Sequence, residues 1–305
     1  YYGMQTVTAM RLDHPWLILF LPLAGVLIVW LYHLLHDEKD TGTNLVLSAI
    51  HSNENIPLRM APLIFIATLL THLFGGSAGR EGAALQLGGS IGNSLGKLFH
   101  FDEKDQHIMI MCGMSAAFST LFGTPLAAAV FSMEVVSVGI MHYSALVPCV
   151  IASLTAHGIA SACGITPEIF PIASIPAFTA KNALIIGIFA VLCALVSILF
   201  CTTLHNAERL YKRFFKNPYV RALAGGLIVI GLTMLVGNQT YNGTGMNIIT
   251  GCMEGKTVFP LAFLLKMVFT AATLGAGYKG GEIVPTLFIG STFGTFFASA
   301  FGCSI

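Results

Sequence analysis

Gly76-Ser77-Ala78-Gly79-Arg80-Glu81-Gly82 is a glycine-rich turn carrying two charges inside an otherwise apolar part of the chain. One apolar run, residues 58–74, leads into it, and a second, residues 83–99, leaves it. The pattern reads as a membrane helix broken at bilayer depth. Glycines at such a break leave backbone N–H groups uncovered where the second helix begins. A helix N-terminus, with open N–H groups and the positive end of the dipole, attracts anions. Paired half-helices aimed at a substrate near the midplane are a transporter device. Glu81 then places a negative side chain beside an anion site.

Working outward, 55% of the 305 residues are hydrophobic, only 10% are charged and the mean hydropathy is +0.79. A soluble domain carries roughly 25% charge, so the composition describes an all-α polytopic membrane protein. Seven segments approach the roughly 20 residues needed to cross a hydrocarbon core: 16–35, 58–74, 107–121, 124–140, 143–163, 182–204 and 222–237. Shorter or interrupted ones follow Gly82, Thr257 and Val284, for about ten helices. The net charge of +1 is uninformative about partners, and no basic patch suggests nucleic acid. Seven scattered cysteines read as reduced, buried packing residues. No signal-peptide pattern is present, and the chain reads as lacking pieces at both ends.

The segment 205–216 holds four basic residues against one acid and reads as a cytoplasmic loop. Residues 164–181 read as an irregular connector between halves at 1–163 and 182–305. Sliding the chain by 201 residues lays Gly76, Gly79, Glu81, Gly89 and Ser90 on Gly277, Gly280, Glu282, Gly290 and Ser291. Both copies follow one apolar run and open another, as paired discontinuous helices do. Asn238-Gln239-Thr240 and Asn242-Gly243-Thr244 match the glycosylation sequon without a secreted context to support it.

Ionisable residues at bilayer depth cost roughly 2.5 to 3.5 kcal/mol on insertion scales, which marks them as functional candidates. Glu81 and Glu282 open the repeated half-helices, and each could instead be a helix-capping carboxylate, Glu81 paired with Arg80. Glu134 reads as a structural carboxylate bonded to backbone N–H groups, and Lys266 as snorkelling or paired with a carboxylate. Gly75-Gly76-Ser77-Ala78-Gly79 also satisfies the G-x-S-x-G pattern of serine hydrolases. An intramembrane hydrolase would need a base, for which His72 is too near on the same helix and His107, His142 and His157 are undistinguished. No H-E-x-x-H or Cys/His metal spacing occurs, and the reading includes no metal or cofactor.

At these residues the chain resembles the CLC family of chloride channels and anion/proton antiporters. Gly79-Arg80-Glu81-Gly82 is similar to its G-R-E-G-P motif, with Ala83 in place of proline. Gly280-Gly281-Glu282-Ile283-Val284-Pro285 is similar to its G-G-x-F-x-P signature, and Gly123-Thr124-Pro125-Leu126-Ala127 to the segment between them. The resemblance implies an inverted-repeat transporter with discontinuous, tilted helices, a homodimer in lipid, and Glu81 as a proton-coupled gate. It also implies backbone N–H groups around Gly79, Arg80, Glu81, Glu282 and Ile283 facing the anion. The family's serine loop falls on 42–46, where Thr43 is the replacement and Thr41 the fallback. Its inner proton-relay glutamate falls on Val135, and its anion-contacting tyrosine lies beyond Ile305. With Glu282 in the second signature, these departures resemble the fluoride-exporting branch. The implied function is fluoride/proton antiport across a bacterial cytoplasmic membrane, with Glu282 as a second protonatable carboxyl. A chloride/proton antiporter or chloride channel of the same family is the alternative.

Overall fold

A computed structural model describes residues 1–36, 46, 50, 56–136, 141–167 and 179–301. Thr41 and Thr43, most of the 164–181 connector and Cys303 lie outside the described residues. The described residues form twelve α-helices and two short 3-10 turns, with one isolated backbone bridge. In order they are α1 (Tyr2–Asp13), a 3-10 turn (Pro15–Phe20), α2 (Leu21–Leu34), α3 (Met60–Leu73), α4 (Glu81–Leu98), α5 (Glu103–Phe122) and α6 (Pro125–Glu134). A second 3-10 turn (Tyr143–Ala145) precedes α7 (Leu146–Ala162). The remainder are α8 (Ala180–Phe214), α9 (Pro218–Val236), α10 (Met246–Met253), α11 (Ala262–Gly275) and α12 (Ile283–Phe301).

Helix ends follow local chemistry. Asp102 caps α5 by accepting from the Asp105 N–H (2.8 Å), and Gly123 stops it in the left-handed region at φ 65°. Asn217 caps α9, Pro218 occupies its first turn, and Gly237 ends it at φ 74°. Among the described residues, five segments are long and apolar enough to cross a membrane: Pro15–Leu34, Tyr143–Ala162, Ala180–Phe214, Pro218–Val236 and Ile283–Phe301.

Four expectations change. The segment at 124–140 gives a helix of only ten residues, and Glu134 is exposed at its last position rather than buried against a neighbour's N–H groups. The stretch 205–216 is helical as far as Phe214, because Ala, Glu, Arg, Leu and Lys are good helix formers and Glu208 pairs with Lys212 one turn on. At 35 residues α8 is roughly 50 Å long, well beyond the ~30 Å core, so its basic end continues outside it. Of the cysteines, Cys149 and Cys252 are buried while Cys163 and Cys201 are exposed. α1 and α10 had no counterpart among the expected segments.

Packing gathers the helices into apolar clusters. Leu85, Ile110, Met111, Met114, Met133 and Cys149 join α4, α5, α6 and α7. Leu21, Ile28, Val229, Phe269 and Phe288 join α2, α9, α11 and α12. Gly88 and Gly113 face each other between α4 and α5, each leaving no room for a Cβ against the other's carbonyl. Small residues at four-residue spacing allow this backbone approach in a membrane. Ile283, at the start of α12, packs against the first of these clusters, so the second half-helix begins on the core of the first.

Candidate functional site

The two glycine-rich turns meet. Gly79 N–H donates to the Gly281 carbonyl (2.6 Å) and Gly281 N–H to the Gly79 carbonyl (2.7 Å), a two-residue antiparallel bridge between stretches 202 residues apart. Glycine is required at this approach. A Cβ on Gly281 would stand 2.5 Å from the Gly82 nitrogen, and one on Gly79 3.1 Å from the Gly281 oxygen and 3.2 Å from Pro285 Cδ. The repeat thus brings the N-termini of α4 and α12 to one place.

Glu81 is the first residue of α4 and is 1% exposed. Its side chain folds back over its own helix end: Oε2 accepts from the Arg80 N–H at 2.9 Å, and Oε1 lies 3.5 Å from Arg80 Nε. The same Oε2 stands 2.5 Å from where a Gly79 Cβ would be, so the missing side chain makes the seat for the carboxylate. The first bond across the start of α4 runs from Ala84 N–H to the Arg80 carbonyl, leaving the preceding N–H groups without intrahelical acceptors. A carboxylate in that position is stabilised by the dipole and by charge-assisted bonds, by up to about 2 kcal/mol for the dipole when partly buried. This is the geometry of a cap, and it is also the geometry of an anion site occupied by the protein's own carboxylate. Arg80 is half-buried, with its guanidinium 5.8 Å from the Tyr1 ring centroid.

The second turn supplies backbone rather than a buried charge. Ile283 begins α12, and the first bond there runs from Thr286 N–H to the Glu282 carbonyl (2.9 Å). Pro285 fits in the first turn, where its missing N–H costs nothing. The Glu282 side chain is exposed and Ile283 is half-buried. Of the residues expected to face an anion, the structure brings Gly79, Arg80, Glu81, Glu282 and Ile283 together. The Gly79 N–H, however, is committed to Gly281, so this residue joins the turns instead of offering a donor. Val135 packs against the cluster around Met133.

Several side chains that fix the first turn escaped sequence reasoning because only the fold aims them at their partners. His72, fully buried at the end of α3, donates through Nε2 to the Gly79 carbonyl at 3.3 Å. Asn242 Nδ2 donates to the Gly75 carbonyl (2.7 Å), which buries this sequon asparagine away from glycosylation. Ser77 N–H donates to Thr273 Oγ1 (3.0 Å), and Ser77 Oγ pairs with Thr270 Oγ1 (3.1 Å). A hydrolase would need that hydroxyl on a basic nitrogen, whereas here it bonds to a threonine and His72 engages a carbonyl. Lys266 neither snorkels nor meets a carboxylate. Completely buried on α11, it donates to the carbonyls of Tyr241 (3.1 Å) and Gly243 (2.7 Å) and lies 5.2 Å from the Phe288 ring centroid. Loop carbonyls that no helix satisfies take the place of the acid.

The profile of the family described as voltage gated chloride channel matches residues 24–304. A protein of Pseudomonas syringae pv. tomato named chloride/fluoride channel protein is 36% identical over 299 residues, covering 96% of this chain. This chain spans 66% of that relative's length. An uncharacterized protein of Methanocaldococcus jannaschii is 26% identical, over 92% of this chain and 70% of the relative. Among solved structures, a CLC-type fluoride/proton antiporter superposes with a TM-score of 0.95 at 35% identity, covering 99% of this chain and 77% of that one. A slow cyanobacterial Cl-/H+ antiporter superposes at 0.81 with 20% identity, covering 98% and 73%, and shares the fold.

Proposed function

We propose that this chain, which belongs to the voltage-gated chloride channel family and is a multi-pass membrane protein, exchanges fluoride for protons across the cytoplasmic membrane, exporting fluoride. The gating role rests on one observation, the Glu81 carboxylate seated on the Arg80 N–H at the N-terminus of α4. Ionised, the carboxylate holds the position an anion would take. Protonated, it loses the charge-assisted bond and the attraction of the helix dipole, and can leave. Anion entry and proton uptake then exclude or require one another at a single place. The bonds around Gly79 and Gly281 hold the backbone donors still while the side chain exchanges.

Fluoride is favoured by the names of the relatives at 36% and 35% identity. It is a small, strong hydrogen-bond acceptor, suited to main-chain N–H groups and to a protonated carboxyl. Glu282 would supply that carboxyl, with Arg80 and Ile283 contributing backbone donors and Thr43 a further anion contact. Chloride is the second candidate, because the Glu282 side chain that would favour fluoride is exposed. Halves at 1–163 and 182–305, related as inverted repeats and joined by 164–181, and a homodimer in lipid complete the proposal.

The test is reconstitution in liposomes, with a fluoride electrode and external pH read together. Fluoride efflux should draw protons inward, and Glu81→Gln should reduce proton movement to background while anion movement persists. Full-rate proton exchange in Glu81→Gln would remove the gating role. Equal fluoride and chloride rates would remove the selectivity.

A further inference from the structure

Arg11 is the buried charge that the Glu81 site leaves unexplained. It sits on α1, 6% exposed, and among the described residues its Nε and Nη1 have no hydrogen-bond partner. No ion pair to it occurs among them. The guanidinium packs on Gly243, where a Cβ would stand 2.5 Å from Nη1 and 2.8 Å from Nη2. Lys266 reaches the same glycine through its carbonyl. Two buried cations therefore meet at one residue, and Glu81, already bonded to Arg80, is the only carboxylate among the buried described side chains. Burying a charge without a counter-charge costs several kcal/mol, and a second like charge nearby adds to it. A small anion between them relieves both.

We propose that Arg11 and Lys266, at Gly243, form a second anion position, separate from the Glu81 seat, that takes a small monovalent anion such as fluoride. The two positions communicate through backbone, since Gly243 N–H donates to the carbonyl of Gly76, the first residue of the gating turn. Its neighbour Asn242 holds the Gly75 carbonyl. An anion arriving at Arg11 is thus received next to the turn whose other end carries Glu81. Arg11 presents several N–H donors and keeps its charge at any working pH. Both properties suit a strong acceptor in a dehydrated place.

This second position rests on the anion-exchange reading, and the experiment separates the two. Sodium fluoride is titrated calorimetrically into the purified protein in detergent, alongside Arg11→Met and Arg11→Lys, with proton-coupled flux measured in liposomes. Arg11→Met should bind one fluoride fewer per chain than the unaltered protein. Should Arg11→Met not fold, Arg11→Lys, which retains the charge and loses the guanidinium donors, should bind that fluoride roughly tenfold more weakly. Unchanged stoichiometry and affinity in a folded variant overturns the site, even where flux is intact. Absent flux in the unaltered protein, together with the equivalent lost in Arg11→Met, keeps the site and rejects the exchange reading.

Discussion

The turns at Gly76–Glu81 and Gly277–Glu282 are similar in sequence, lie in contact and are built differently. In the first, the carboxylate is buried at the start of its helix and bonded to its own backbone. In the second, the helix starts one residue later, at Ile283, and the carboxylate is exposed. Their anchors differ as well. Asn242, from the remote loop before α10, and His72, from the helix that leads into the turn, hold carbonyls of the first turn, while Tyr278 within the second donates outward to the carbonyls of Leu21 (2.9 Å) and Ala222 (3.0 Å). A repeat therefore specifies where two turns meet, but a one-residue shift in helix start decides which carboxylate occupies the centre.

Substitutions can break that comparison, beginning with the bridge. Gly79→Ala places a methyl on the Glu81 seat and Gly281→Ala places one on the Gly82 nitrogen. Each should lower exchange roughly a hundredfold, as displacement of a reacting group by about 1 Å does, and liposome flux measures it. The next contrast tests the repeat itself. Gly89→Ala meets Val46 Cγ1 at 2.6 Å, whereas its copy Gly290 has nothing within 4 Å. Thermal unfolding should show Gly89→Ala destabilised by about 1–3 kcal/mol and Gly290→Ala unchanged or more stable by up to about 1 kcal/mol. Removing an anchor should cost about 1–3 kcal/mol, the price of orphaned carbonyls. Asn242→Leu is expected to impair exchange more than Tyr278→Phe does, because it frees the turn that carries Glu81. The smallest effect belongs to Glu282→Gln. With an exposed side chain, its proton coupling should stay within about a factor of two of the unaltered protein, in contrast to Glu81→Gln, while its preference for fluoride over chloride falls. A loss as large as that of Glu81→Gln would place both carboxyls in the proton path.

Much of this arrangement was legible. The charged glycine turn, its second copy and the carboxylate at the helix start were readable because glycine and intramembrane charge are rare and local signals. Helix ends were less so: the basic residues after His205 suggested a loop, yet each is a good helix former and α8 continues through them. Glu134 in an apolar run looked buried, but α6 stops at that residue and exposes it. Arg11, His72 and Asn242 gave no signal. Arg11 meets Gly243, 232 positions away, and Asn242 meets Gly75, 167 positions away. His72 lies near Gly79 in sequence, but only the fold of the turn aims its ring at that carbonyl.

The amino-acid order by itself determined a helical membrane protein with two interrupted helices and a carboxylate at an N-terminus, since hydropathy, glycine's freedom and helix polarity act over a few residues. Tertiary structure decided which N–H groups were spent and which carboxylate was buried. The Gly79 donor is used by Gly281, Glu81 closes on Arg80, and Arg11 is brought to Gly243 without a counter-charge among the described residues. Those outcomes depend on backbones approaching within hydrogen-bond distance across two hundred residues, which no local preference encodes.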